Sequence, residues 1–306
     1  MGEIRPRAEL MATGWTTDAL TAAVRSGRLY RPGPGKYALN VPEDPSARYR
    51  TRSLATASGR SGVVSHESAA ALHRIPYLRP ARDKVHFTVS RSHGGGVRGT
   101  VHLHSRPLRD DEIVVVDGVR VTSRARTAVD IAMTGDLERA VCAFDAVRLE
   151  PRYPKPEDPD PVALDELRLC IDRLGRRRGS ATARLGVDLS VTCSESPGES
   201  LSRMQMRGRG LPTPQLQTEH LLAGCTFYTD FEWGSLVGEF DGRDKYGATD
   251  EELEEALAAE KSRQELFEAA GFEVIRWRWS VLKAPGRLEQ LLLPAMRRHG
   301  LVRAAG

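Results

Sequence analysis

The sequence predicts a multidomain chain of mixed α/β and α+β class, and three observations carry that expectation. A short amphipathic helix followed by a Pro-Gly-Pro-Gly reversal at residues 32–35 predicts a small helix-turn-helix with a wing at the N-terminus. Five prolines within residues 150–161 read as a semi-rigid extended linker. From Ser194 onward the periodicities run helix, strand, strand, strand, helix, strand, an αβββαβ order. The expected divisions are a winged helix-turn-helix over 1–60, an α+β domain over 61–148, a proline-rich linker and helix over 149–193, and the αβββαβ domain over 194–306.

From the N-terminus, Thr16-Thr17-Asp18 is an N-cap cluster ahead of residues 19–25, whose apolar positions recur at helical spacing, and Gly27 stands where a C′ residue ends a helix. Residues 28–31 and 36–39 flank the reversal as strands of a β-ribbon, with Arg28, Arg31 and Lys36 near its tip. With Arg25 on the helix, these are the side chains expected to meet nucleic-acid phosphate. In the next region Val63-Val64-Ser65 predicts a strand, residues 66–74 a helix, and 84–90 and 99–104 alternate as strands. Asp117-Gly118 turns a hairpin between 113–116 and 119–122. Six of the eight histidines lie here. His102 and His104 share a strand face at a spacing that can chelate a metal, but without an obvious third ligand the expectation is solvent-facing strand histidines. A helix over 162–174 and the basic cluster Arg176-Arg177-Arg178 come after the linker.

In the last domain, Ser196-Pro197-Gly198-Glu199 opens a helix to about residue 207, and 215–222, 227–233 and 236–241 predict three strands. A Thr249-Asp250-Glu251-Glu252 capping box starts a long helix to Gly271, and 273–279 alternates as a final strand. Trp277 and Trp279 would share a face of that strand and are expected in the core.

Composition narrows the function classes. Charged residues make up 28% of the 306, mean hydropathy is −0.41, and no apolar run approaches the ~20 residues of a membrane span. The start Met1-Gly2-Glu3-Ile4-Arg5-Pro6 lacks the apolar region of a secretory signal. Cys142, Cys170, Cys193 and Cys225 are scattered, which argues against a disulfide framework or a cysteine zinc site. The expectation is a cytoplasmic chain without membrane contact. Residues 1–150 carry 23 basic against 16 acidic side chains, whereas 151–306 carry 22 against 25. The basic half suits a polyanion partner.

Three carboxylates fall where hydrolysis of a phosphodiester needs them. Asp230 lies on the second strand, where aspartate among aromatic residues is disfavoured without a partner. Glu239 lies nine residues later on the third strand, and Asp241, two further on, projects from the same face. Glu199 occupies the N3 position of a Ser-x-x-Glu capping box, so helix capping is its plainer role. The reaction calls for a hard divalent cation, and Mg²⁺ takes oxygen ligands, commonly one or two carboxylates with water and substrate phosphate. Two carboxylates from adjacent strands and a third from a nearby helix meet that requirement.

These residues carry a resemblance. Glu199, Gly210-Leu211-Pro212, Pro214-Gln215, Asp230-Phe231, Trp233, Glu239-Phe240-Asp241-Gly242, Arg263 and Gly271-Phe272-Glu273-Val274-Ile275-Arg276-Trp277 resemble, in order and spacing, the very-short-patch-repair-like family of the PD-(D/E)XK superfamily. The resemblance spans about 90 residues and implies a restriction-endonuclease-like fold over roughly 194–282. It also implies metal binding by Glu199, Asp230 and Glu239, with Asp241 supplementary and Mg²⁺ or Mn²⁺ as cofactor. One departure is chemical: Asp241 stands where the superfamily has the lysine of its E-x-K motif. Lys245, Lys261 or Arg263 would then supply the catalytic cation, with Arg263 preferred. The histidines and zinc ligands of the mismatch-repair members are missing, so T:G mismatch repair is not expected. The N-terminal forty residues, with their Gly-Arg-Leu and Gly-x-Tyr elements, resemble the winged helix of AbiEi-type antitoxins. Residues 61–135 resemble the segment C-terminal to that winged helix in the same proteins.

Three functions remain open at this point. One is a Mg²⁺-dependent DNA endonuclease whose N-terminal domain holds the substrate. Another is an antitoxin-like transcriptional repressor, with a cognate toxin as partner and an inactive nuclease-like domain. The last is action on RNA or a non-nucleic substrate. Clustered carboxylates repel unless a cation neutralises them, which favours the first, while the missing lysine favours the second. Homodimerisation is compatible with half-site reading.

Overall fold

The computed structural model describes residues 4–39, 41–42, 44–91, 94–242 and 261–303. The chain divides into two units, residues 1–147 with 160–190, and residues 148–159 with 191–306. Both mix helices with sheet, so the fold is a multidomain α+β arrangement with several sheets.

The first unit opens with a small layer of helices on a three-stranded sheet. Thr16 Oγ1 accepts the Ala19 N–H at 3.1 Å and starts α2 (Thr17–Arg25). Leu20 and Ala23 of α2 pack with Leu29, Tyr37 and Leu10, the last from α1 (Arg7–Ala12). Strands β2 (Tyr30–Gly33) and β3 (Lys36–Ala38) pair across the expected reversal, and β1 (Ile4–Pro6), which the sequence pattern did not flag, pairs with the other edge of β3. Arg25, Arg28 and Arg31 are exposed. Lys36 is half-buried and donates to Ser58 Oγ at 3.3 Å, so it is turned toward the end of α3 (Pro45–Ala57) rather than standing at the ribbon tip.

The middle of this unit is a six-stranded mixed sheet in the order β6-β7-β5-β4-β9-β8. Its strands are β4 (Val63–Val64), β5 (Val85–Val89), β6 (Gly96–Arg98), β7 (Val101–Ser105), β8 (Ile113–Val116) and β9 (Val119–Thr122). Helix α4 (His66–His73) packs with β5 and buries Ala69 and Leu72 among Val64, Phe87 and Val121. Four further helices complete the unit: α5 (Arg124–Thr134), α6 (Leu137–Arg148), α7 (Leu164–Leu174) and α8 (Ser180–Leu189). Residues 160–190, expected to belong with the linker, supply Leu167, Ile171, Leu174, Ala183 and Val187 to the core around Phe144. Gly186 permits that approach, because a Cβ there would lie 2.9 Å from the Ala140 Cβ and 3.2 Å from the Phe144 ring. Arg126 is fully buried, donating to Asp130 Oδ1 at 3.2 Å and to Glu112 Oε2 at 3.0 Å.

In the second unit Ser196 caps α9 (Pro197–Gly208). Strands β10 (Gln215–Leu222), β11 (Cys225–Trp233) and β12 (Leu236–Asp241) form an antiparallel meander. Residues 261–269 are helical (α10), and β13 (Glu273–Arg278) returns parallel to β12 at the sheet edge. The short α11 (Trp279–Leu282) and α12 (Arg287–Arg298) complete the unit. Trp277 is 1% exposed, stacks 5.4 Å from Phe231 and donates its indole N–H to Ser202 Oγ at 2.7 Å. Truncating a side chain so enclosed costs about 3–5 kcal/mol. Trp279, expected on the same strand face, instead opens α11 and meets Phe240 edge-on at 5.2 Å. The expected capping box at 249–252 lies outside the described residues. Among the described residues no helix is long and apolar enough to cross a membrane.

Candidate functional site

The carboxylates of the second unit are brought together by consecutive elements. Glu199 sits in the first turn of α9, where its own N–H is accepted by Ser196 Oγ at 3.2 Å. The start of this helix lies hard against β12, since a Cβ on Gly198 would fall 1.9 Å from the Phe240 ring. Any larger residue at 198 would therefore displace the Phe240 ring or the helix start that carries Glu199. Asp230 comes from β11 and Glu239 from the adjacent β12.

Glu199 and Asp230 are joined by a residue the sequence reading did not single out. Gln217 of β10 lies opposite Asp230, between the registered pairs Leu216–Phe231 and Thr218–Thr229, and has a left-handed φ of 52°. Its Nε2 donates to Glu199 Oε2 at 3.1 Å and to Asp230 Oδ1 at 3.4 Å. Its Oε1 accepts from Arg152 Nη2 at 2.7 Å, which fixes the amide with its donor side toward the carboxylates. Arg152 is itself held 3.4 Å above the Tyr228 ring and pairs with Glu195 at 3.3 Å. A strained backbone angle on a residue that bridges two acids marks a position where side-chain placement outweighs local comfort.

Backbone amides and the Ser196 side chain supply further bonds to the pair. Asp230 Oδ2 accepts the Phe240 N–H at 2.8 Å, and Glu199 Oε2 also accepts the Glu195 N–H at 2.9 Å. Burial, followed by the neighbouring Glu199 charge, pushes Asp230 up to about 7, against the lowering effect of the Phe240 amide. Burial likewise raises Glu199. The capping role expected for Glu199 is therefore only part of its work.

Glu239 and Asp241 are differently placed. Glu239 is 9% exposed and lies between two guanidinium groups, accepting from Arg263 Nη2 at 2.6 Å and Arg276 Nε at 2.9 Å. Arg276 is its registered partner on β13, just as Arg278 is that of Asp241. Arg278 Nε donates to Asp241 Oδ2 at 2.8 Å. Arg263, the expected catalytic cation, also donates to the Tyr228 carbonyl at 2.6 Å, so it is held by β11 as well as by Glu239. Lys245 lies outside the described residues. Lys261 is exposed and pairs with Glu265 at 3.9 Å within α10, away from a site role.

The donor set fits a hard divalent cation through Glu199 and Asp230, two carboxylates that are bonded by amides and the Ser196 hydroxyl, not by arginine, and whose mutual repulsion a cation would relieve. Glu239 would reach such an ion only by yielding an arginine.

A second group of ligand atoms lies in the first unit. His86 of β5 and His102 of β7 are registered partners, and His104 lies two residues further along. Their ligating nitrogens lie within 4.8 Å of one another, and among the described residues no other group of three or more His, Cys, Asp or Glu is so close. His102 and His104 are half-buried, with His66 and His86 stacked on His104, and both line a recess at the surface. The third ligand was hidden from the sequence reading because it comes from a parallel neighbour, not from the same strand.

No family model matches the chain. The chain is 28% identical over 222 residues to the uncharacterised proteins Rv2248 and MT2308 from two strains of Mycobacterium tuberculosis, spanning 72% of this chain and 76% of each relative. Among solved structures, a crystal structure of the RV2827C protein from Mycobacterium tuberculosis aligns with a TM-score of 0.36 and 15% identity, covering 65% of this chain and 74% of that one.

Proposed function

We propose that the second unit is a restriction-endonuclease-like hydrolase of the PD-(D/E)XK type, cleaving DNA phosphodiester bonds with Mg²⁺ or Mn²⁺. The observation that carries this reading is the Glu199–Asp230 pair, held by one Gln217 amide and with Asp230 shifted up to about 7. The helix, the three antiparallel strands, the second helix and the parallel strand support the same assignment. When bound, the ion supplies a water acidified toward neutral pH and charge to offset the dianionic transition state.

The protein's own groups divide the rest of the work. Glu199 and Asp230 would hold the metal. Gln217, fixed by Arg152, keeps the two carboxylates in one orientation. Burial and the Glu199 charge raise Asp230 in the empty site, and a cation held there would return it to the ionised form that binds metal. Arg263 and Arg276, already gathered on Glu239, carry the positive charge that the E-x-K lysine brings in the superfamily. The first unit then acts as a winged-helix DNA-holding part, with exposed Arg25, Arg28 and Arg31 against phosphate. The working setting is the cytoplasm, and a homodimer would read paired half-sites.

A second reading rests on a specific observation. Glu239 and Asp241 are each paired with arginine, and Asp241 takes the lysine position. That arrangement suits a retired nuclease fold serving an antitoxin-like repressor with a cognate toxin. Labelled duplex and single-stranded DNA incubated with the protein, with Glu199→Gln and with EDTA separates the two. Metal-dependent cleavage lost in the variant supports the hydrolase. Salt-sensitive binding without cleavage overturns it in favour of the repressor.

A further inference from the structure

The histidine group in the first unit is independent of the carboxylate site and is built from four strand and helix positions. His86 Nδ1 and His104 Nε2 are 2.9 Å apart. The His102 and His104 rings are 4.0 Å apart, and His86 and His102 are 5.3 Å apart. His66, only 1% exposed, lies over His104 with ring centroids 3.6 Å apart and planes 16° apart, so the His104 ring has one orientation. His66 is fixed in turn by Ser65 Oγ, 2.9 Å from its Nδ1.

Two polar atoms beside the group are buried without a hydrogen-bond partner among the described residues: His66 Nε2 and Asp130 Oδ2. Each such atom carries a desolvation cost, so their presence next to three clustered imidazoles is unexplained by packing alone. The open side of the group is basic. A recess lined by His102 and His104 is also lined by Arg106, Arg177 and Arg178. Guanidinium groups beside three imidazoles repel a bare cation, but they favour a cation that brings an anion with it.

We propose that His86, His102 and His104 form a transition-metal site of the zinc class, with an oxyanion such as phosphate completing the coordination on the side of Arg106, Arg177 and Arg178. Imidazole suits borderline ions such as Zn²⁺ and Ni²⁺, and three protein ligands with a fourth position open to water or another small ligand is an arrangement zinc sites adopt. Tetrahedral coordination at about 2.0–2.1 Å separates ligand nitrogens by roughly 3.3 Å, so His86 and His104, 2.9 Å apart, must part slightly, while His102, whose ligating nitrogen lies within 4.8 Å of both, must draw in by a rotation of its ring. Asp130 lies 3.7 Å from His66 Nδ1 and contributes negative charge behind the group. Mg²⁺, which prefers oxygen, is not expected to bind here.

The test is Co²⁺ titration of the full chain, read by visible absorption, with His102→Asn and Asp230→Asn run alongside. The expected result is the intense absorption of four-coordinate Co²⁺ in the wild type. Asp230→Asn should retain it, and His102→Asn, the change at the most accessible ligand, should weaken affinity on the order of 100-fold. Inorganic phosphate should shift the band in the wild type. If His102→Asn fails to fold, the wild type and Asp230→Asn decide alone: absorption of four-coordinate Co²⁺ in both supports the site. Only the weak absorption of six-coordinate Co²⁺, or loss of the signal in Asp230→Asn, overturns it. A four-coordinate band indifferent to phosphate overturns the oxyanion ligand.

Discussion

Gln217 and Asp230 face each other across β10 and β11, and the Gln217 amide donates to Asp230 Oδ1 at 3.4 Å from a backbone held at φ 52°. The geometry separates stability from function at this position. Gln217→Gly loses bonds worth about 1–3 kcal/mol. It also relieves a left-handed conformation that costs a non-glycine residue about 1–2 kcal/mol. Urea unfolding should therefore move by about 1 kcal/mol or less, while the cleavage rate falls roughly 10–100-fold, as when a group that orients ligands is removed. Unchanged cleavage in a well-folded variant would remove Gln217 from the site.

Asp230 also gives the second unit a pH signature. Its folded acidity, about 7, lies above the unfolded value near 4, so the folded state binds more protons between the two. Stability from this group is present at low pH and is lost as pH rises from about 4 to about 7, with no further change above. Glu199, raised in the same direction, adds to the trend. In EDTA, Asp230→Asn should abolish most of a decline on the order of a few kcal/mol. Unfolding midpoints across that range, followed by tryptophan fluorescence, check it; parallel curves for the two proteins contradict it.

The contact of Gly198 with Phe240 predicts a coupled defect. Gly198→Ala places a methyl within 1.9 Å of the ring, and overpacking of this kind costs about 1–3 kcal/mol. The start of α9 should shift and carry Glu199 away from Gln217, lowering cleavage. Gly198→Ala combined with Phe240→Leu should recover part of both losses, which cleavage and thermal unfolding measure together.

In the first unit, Arg126→Met would leave Glu112 and Asp130 buried without their guanidinium. Removing one partner of a buried ion network costs about 3–5 kcal/mol. Chemical unfolding should show that loss. A change under 1 kcal/mol would contradict a structural role for this network.

The sequence made the cluster legible where local rules determine position. Ser196 and Glu199 mark a helix start, the short Gly234-Ser235 turn brings Asp230 near Glu239, and two-residue alternation puts Asp241 on the face of Glu239. What it hid depends on register and distant partners. Gln217 joins the acids only because β10 pairs in one register and tolerates a left-handed angle. Arg276 and Arg278 meet Glu239 and Asp241 through parallel pairing with a strand more than thirty residues on. His86 reaches His102 in the same way. Helix α7 was expected over 162–174, but its place in the first unit, and α8 altogether, were hidden for another reason: the proline-rich stretch before them signals a linker, while the apolar stripes of Leu167, Ile171 and Val187 find their core with Phe144.

The proposed metal-dependent hydrolysis is tested most directly by single-turnover cleavage of supercoiled plasmid by the wild type and by Asp230→Asn, with Mn²⁺ and with EDTA. It predicts nicking by the wild type that needs the metal and a rate at least about 10²-fold lower in the folded variant, as expected for loss of a catalytic group. Equal nicking by both proteins, or none by either in Mn²⁺, would contradict it.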